Sequence, residues 1–168
     1  MNRDVNTMNI KKSVHVAVGV IFHDCEAQEL SANNVSNRQI LIAKRAEHQH
    51  QGGLWEFPGG KVEEGETVPS ALKRELEEEL GLAVSVNDMS PLISIPFEYS
   101  DKFVLLDVWM VKSSAQFYQE TNVENSSSES PILGKENQPL LWVAQSTLEQ
   151  FEFPAANQAI IAALTDLR

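Results

Sequence analysis

One segment limits the folds open to this chain more than any other: Gly60 to Leu82, GKVEEGETVPSALKRELEEELGL. It opens on Pro58-Gly59-Gly60, which a turn accommodates well, and closes on Gly81, the residue type that most often ends a helix. Between them Thr67 has the place of an N-cap, Pro69 falls in the tolerant first turn, and Ala71, Leu72, Leu76 and Leu80 recur at helical spacing. The segment therefore predicts an amphipathic helix whose apolar stripe packs inward. The same helix carries Glu75, Glu78 and Glu79 at i, i+3 and i+4, an arrangement that brings three carboxylates onto one face and destabilises an isolated helix. A solvated acidic face is the usual resolution in a glutamate-rich helix. A cation is the other, and hard oxygen ligands of this kind suit magnesium or manganese. Two features favour the cation. Arg74 is positioned to pair with one carboxylate and fix its rotamer, and the Gly59-Gly60 turn permits close backbone approach to a ligand. Glu66, just ahead of the helix, is able to fold back to the same site.

The rest of the chain supplies the surface on which that stripe is buried. Val14 to Phe22 and Gln39 to Lys44 are β-branched runs that read as two strands of one hairpin, joined by a polar, Asn-rich connection. Leu54 to Phe57 is a short apolar stretch leading into the glycine turn. Leu92 to Phe97 and Phe103 to Val111 are further strands, separated by Glu98 to Lys102, a span of hairpin-loop length. Gln119 to Pro131, with Ser126, Ser127, Ser128 and Ser130, has the composition of a mobile surface loop inserted into the domain. Leu140 to Val143 reads as a short buried strand, and Ser146 with Glu149 has the spacing of a capping box. A last helix is expected after Pro154, with Ile160, Ile161, Leu164 and Leu167 as its inward stripe. Strands interleaved with two substantial helices imply an α+β fold, an α/β/α sandwich with a mixed sheet packed between helices.

Composition narrows the partners. The 168 residues suffice for one domain, residues 13–168, preceded by a flexible polar extension from Met1 to Lys12 that lacks the apolar run of a signal peptide. Net charge −11 opposes binding to polymeric nucleic acid or to an anionic membrane, and no stretch approaches membrane-spanning length. A small polyphosphate is compatible, because a metal held by carboxylates inverts the local sign of charge. Cys25 is the only cysteine, so no intramolecular disulfide forms, and a reducing, cytoplasmic setting is expected. His48 and His50 read as surface residues rather than phosphate contacts. Lys61 reads as a surface charge, and Trp55, Trp109 and Trp142 as core or pocket wall.

Gly60, Glu66, Arg74, Glu75, Leu76, Glu78, Glu79, Gly81 and Leu82 match every specified position of the Nudix box, G-x5-E-x7-R-E-U-x-E-E-x-G-U with U aliphatic. The segment thus resembles the Nudix hydrolases. That resemblance implies that Glu75, Glu78 and Glu79 bind magnesium (manganese being possible), with the Gly59 carbonyl as a further ligand, and that water cleaves a nucleoside diphosphate linkage. Glu75 is the favoured general base, Glu79 the next candidate, and Glu66 orients or supports the site. VAVGVIF, LIAKRA, LWEFPGGKVE, GKENQP and FPAAN look like their counterparts, in the same order, in the MutT branch of 8-oxo-dGTP diphosphatases. By that analogy Glu136 adds a metal-site carboxylate from a loop, Arg45 and Phe57 border the nucleotide, Asn157 contacts the base and Asp101 lines the base pocket. A monomer acting on a free nucleotide is expected. The stretch from Gln119 to Pro131 is longer than the branch leads one to expect. The alternatives are a Nudix hydrolase for another substrate, such as CTP, ADP-ribose or a dinucleoside polyphosphate, and a non-catalytic module that senses oxidised guanine.

Overall fold

A computed structural model describes residues 11–24, 38–48, 51–122 and 132–167. The Asn-rich connection, Cys25, His50 and the serines of the polar stretch lie outside the described residues, as do residues 1–10. Among the described residues eight strands form one mixed sheet: β1 Lys12–Asp24, β2 Arg38–Lys44, β3 Trp55–Glu56, β4 Gly59–Lys61, β5 Met89–Glu98, β6 Lys102–Lys112, β7 Ile132–Leu133 and β8 Pro139–Ala144. Accompanying them in the described residues are α1 Val68–Leu80, α2 Ala115–Thr121 and α3 Gln158–Asp166. The main path runs β5-β6-β1-β2-β8-β7, with β3 on β2 and β4 on β1. The predicted hairpin is present, Phe22 pairing with Ile40 in antiparallel β1 and β2. β1 and β6 pair in parallel, which makes the sheet mixed.

The long hydrophobic runs of the central strands follow from burial on both faces. In β1, Ala17 and Ile21 face the cluster of α1, with Leu72 and Leu76, while Val18 and Val20 face that of α3, with Ile160 and Leu164. Leu41 divides from Ile40 and Ile42 in the same way. This is the expected α/β/α sandwich.

Helix α1 has the boundaries its sequence predicts. The Thr67 hydroxyl accepts from the Ser70 N–H at 3.4 Å, and Gly81 adopts φ 72°. The Gly81 and Leu82 amides then donate to the Glu77 and Leu76 carbonyls, closing the last turn.

Four local expectations change. Strand β1 begins at Lys12, the last residue of the expected extension, and Lys11 pairs with Glu98 at 2.5 Å. Gln119 to Thr121 are helical rather than part of a loop: Ser114 caps α2 by accepting from the Phe117 N–H, and Phe117 and Tyr118 pack against Trp142. Ser146 caps nothing. It lies inside a 3-10 helix, Gln145–Gln150, whose N-cap is Ala144, and Thr147 instead donates to the Ala144 carbonyl. Leu167 is 55% exposed because α3 ends at Asp166, leaving Ile160, Ile161 and Leu164 as the buried stripe.

Candidate active site

The glycine turn is where sheet, helix and site meet. Gly59 pairs with Val18 and Gly60 with Ala17, so β4 is pressed onto β1 directly beneath α1. A Cβ on Gly59 would stand 2.1 Å from the Ala17 carbonyl oxygen, and φ there is 149°, so only glycine fits. A Cβ on Gly60 would lie 2.2 Å from the Glu75 carboxyl carbon. Glu75 therefore rests its carboxylate on the bare backbone of Gly60.

Arg74 organises the outer carboxylates. Its Nε and Nη2 donate to the two oxygens of Glu66 at 2.8 and 2.9 Å, and Nη1 donates to Glu75 Oε1 at 2.8 Å and to Glu78 Oε2 at 3.3 Å. A further bond, Nη2 to the Lys61 carbonyl at 3.1 Å, ties the guanidinium to β4. These hydrogen bonds from Arg74, with another from the Glu63 amide, hold the Glu66 carboxyl down at about 2. Glu66 is thus an ionised anchor for Arg74. Glu78 is drawn to the outer edge of the group, where its side chain is 60% exposed.

Glu79 points the other way. It accepts a hydrogen bond from the Gly59 amide, and burial pushes its pKa up to about 8, reinforced by the charges of Glu75, Glu56 and Glu136. Glu79 and Glu136 line one recess together with Glu56 and Arg45. Among the described residues no three acidic, histidine or cysteine side chains stand close enough together to hold a metal ion as they are placed. The donor chemistry nevertheless fits a hard divalent cation. The charges of Glu75, Glu56 and Glu136 all bear on Glu79, and of these three Glu75 is paired with Arg74 and Glu56 with Arg45.

Glu56 joins this group although no sequence motif marks it. It pairs with Arg45, and burial raises its pKa despite that cation. The available signal was a carboxylate between Trp55 and Phe57, immediately before the glycine turn.

Arg45 and Glu56 also border a second, larger cleft of about 500 Å³. Phe57, Asp101 and Asn157 line it with Arg45, so the four residues expected at the nucleotide share one cavity, and Gly59 borders it. Phe57 is buried and stacks on Phe153 at 5.2 Å between centroids. Asn157 is the N-cap of α3, yet its side chain makes no capping hydrogen bond. Lys61 is exposed at the edge of this cleft. His48 is exposed and outside it, whereas Trp142 is core, donating from Nε1 to Thr121 Oγ1 at 2.9 Å.

The family described as NUDIX domain matches residues 33–163. The chain belongs to the Nudix family. The Nudix enzymes are in general dependent on a divalent metal. Among curated Nudix relatives, the 8-oxo-dGTP diphosphatase of Escherichia coli K12 is 32% identical over 156 residues, spanning 93% of this chain and 99% of the relative. The CTP pyrophosphohydrolase of the same organism is 32% identical over 130 residues, 77% of this chain and 84% of the relative. A solved MutT structure, from work on the Aliivibrio salmonicida and Vibrio cholerae proteins, is 29% identical with a TM-score of 0.64, covering 94% of this chain and all of that one. Among the described residues no helix is long and apolar enough to cross a membrane.

Proposed function

We propose that this Nudix protein hydrolyses 8-oxo-dGTP to 8-oxo-dGMP and pyrophosphate, and so clears oxidised guanine from the nucleotide pool. The observation that carries the reading is Asn157, whose uncapped amide lines the same cleft as Arg45, Phe57, Asp101 and the Gly59 turn. 8-Oxoguanine presents the O6 acceptor beside an N7-H donor, whereas guanine presents two acceptors. An Asn amide complements the first pattern, with its NH₂ donating to O6 and its oxygen accepting from N7-H. Phe57 supplies an apolar wall for the base. Arg45, at the border of both cavities, is suited to the phosphates that lead from the base toward Glu79 and Glu136.

Magnesium is the expected cation, with manganese as a substitute, held by Glu75, Glu78, Glu79, Glu136 and the Gly59 carbonyl. When bound it supplies charge neutralisation at the diphosphate and a water of lowered pKa. Glu75 is assigned the general base. Arg74 occupies its Oε1, leaving Oε2 to accept the proton of the attacking water while Gly60 allows the close approach. Glu66 keeps Arg74 in place. Net charge −11 favours a free nucleotide over polymeric nucleic acid, and a cytoplasmic monomer completes the proposal.

CTP hydrolysis is the competing reading, given an equally identical relative with that activity. Turnover of 8-oxo-dGTP, dGTP, CTP and ADP-ribose with magnesium in oxygen-18 water tests both substrate and chemistry. The expected outcome is rapid release of pyrophosphate from 8-oxo-dGTP, with the label in pyrophosphate because water attacks the β-phosphorus. CTP as the preferred substrate, or label in the monophosphate, would overturn the proposal.

A further inference from the structure

Glu79 and Glu136 come from different elements, the last turn of α1 and the tight loop between β7 and β8, so something must fix the spacing between them. We infer that Gln138 is a positioning residue that sets this spacing by clamping the main chains of both glutamates with one side-chain amide. Its Nε2 donates to the Glu79 carbonyl at 3.2 Å, and its Oε1 accepts from the Glu136 amide at 3.0 Å. Both ends of a single planar group are therefore used, each on the backbone of one carboxylate residue. The Gln138 donor is a second partner, beside the Lys135 amide, for a carbonyl in the last turn of α1, where no intrahelical partner is expected.

The loop is shaped to hold this side chain. A Cβ on Gly134 would fall 2.5 Å from the Gln138 amide carbon, so glycine leaves the space in which the amide lies. The Gly134 amide donates to the Gln138 carbonyl at 2.9 Å, and Asn137 turns the chain at φ 62° while its amide donates to the Gly134 carbonyl at 3.0 Å. Lys135 adds a separate attachment: its amide donates to the Glu79 carbonyl at 2.7 Å and its Nζ to the Glu77 carbonyl at 2.9 Å. Lys135 anchors the loop to the helix end. Among the described residues only Gln138 contacts the backbone of Glu136 and that of Glu79 with the same group, so its geometry couples the positions of the two carboxylates.

The inference rests on the proposed role of Glu136 at the metal. Its test is Mn²⁺ binding to the full chain without nucleotide, measured from the free-Mn²⁺ electron paramagnetic resonance signal. The proteins compared are wild type, Gln138→Met, Glu136→Gln and the double variant. Methionine keeps the length of the side chain and removes both hydrogen bonds. Gln138→Met is expected to weaken Mn²⁺ binding about 10-fold or more, the usual scale for a group that orients a ligand. In the Glu136→Gln background the same change should have little further effect, because it acts through Glu136. Thermal unfolding without metal identifies the folded protein in each sample, and Gln138→Asn, too short to span both backbones, provides a second variant expected to behave like methionine. Unchanged Mn²⁺ affinity in folded Gln138→Met, or an equal loss in both backgrounds, would overturn the positioning role while leaving Glu136 as a ligand. Unchanged affinity in Glu136→Gln alone would instead remove Glu136 from the metal site, and the inference with it.

Discussion

Arg74 shows how one side chain distributes the work among several carboxylates. Its bidentate hold on Glu66 fixes the guanidinium plane, and the remaining nitrogen reaches Glu75 and Glu78. Sequence spacing placed Glu75, Glu78 and Glu79 on one face, but a helix face is broad, and the guanidinium decides which carboxylates turn outward. Glu78 follows Arg74 to the rim, while Glu79 turns to the Gly59 amide. Hence the residues in the box were legible from the sequence, and their division into an outer and an inner group was not, because it depends on where β4 lies. Glu56 escaped for a similar reason: its proximity to Glu79 comes from β3 pairing with β2, a contact without a local signature. If Glu75 takes the proton from water, Glu75→Gln should lower kcat by two or more orders of magnitude, the range expected for a lost general base, with little change in thermal stability. Steady-state turnover at saturating magnesium checks this, and near wild-type kcat would reassign the base to Glu79.

At the scale of the element, α1 carries a built-in electrostatic penalty. Glu79 has its ordinary pKa near 4.5 in the unfolded chain and about 8 in the fold, so between those values the folded state binds more protons. Stability of the metal-free protein therefore falls as pH rises through that window. Glu66 has the opposite sign, but its pKa of about 2 confines the loss of its contribution to more acidic pH. Melting of the metal-free protein should move down by several degrees from pH 5.5 to pH 8, each kcal/mol amounting to roughly 2–4 °C in a chain of this size. Magnesium should raise the melting temperature more at pH 8 than at pH 5.5, and Glu79→Gln should flatten the pH profile. A profile already flat in the wild type would contradict the burial and repulsion assigned to Glu79. The caps of α1 were readable because Thr67, Pro69 and Gly81 act locally. Helix α2 was not, since its seven residues are held by Phe117 and Tyr118 packing on a strand that follows it in sequence. That correction alters what removal of the polar stretch should do. Deleting residues within 123–130 should leave turnover within about two-fold, whereas extending the deletion through Thr121 removes the acceptor of the Trp142 indole and should lower stability by about 1 kcal/mol or more. Paired activity and denaturation curves distinguish the two, and a large activity loss from the shorter deletion would give the stretch a role at the site.

Across the whole molecule, the sandwich brings separate parts of the chain to one place. The carboxylates enter from β3, α1 and the β7–β8 loop, and the residues lining the larger cleft include Arg45 just after β2, Phe57 in the turn before β4, Asp101 in the β5–β6 connection and Asn157 at the start of α3. The two recesses share Arg45 and Glu56, so in the proposed binding mode a nucleotide with its base at Asn157 directs its phosphates toward Glu79. We propose that this path is built for an oxidised purine. It is tested most directly by kcat/KM for 8-oxo-dGTP and for dGTP, measured side by side in the wild type and in Asn157→Ala. A buried hydrogen-bond mismatch costs roughly 1–3 kcal/mol, and a cooperating pocket discriminates by up to ~10⁴. The wild type should therefore favour 8-oxo-dGTP by at least about 100-fold, and Asn157→Ala should lower that ratio about 10-fold or more through weaker binding of the oxidised nucleotide. Equal kcat/KM for the two nucleotides in the wild type, or the same ratio in both proteins, would contradict the account.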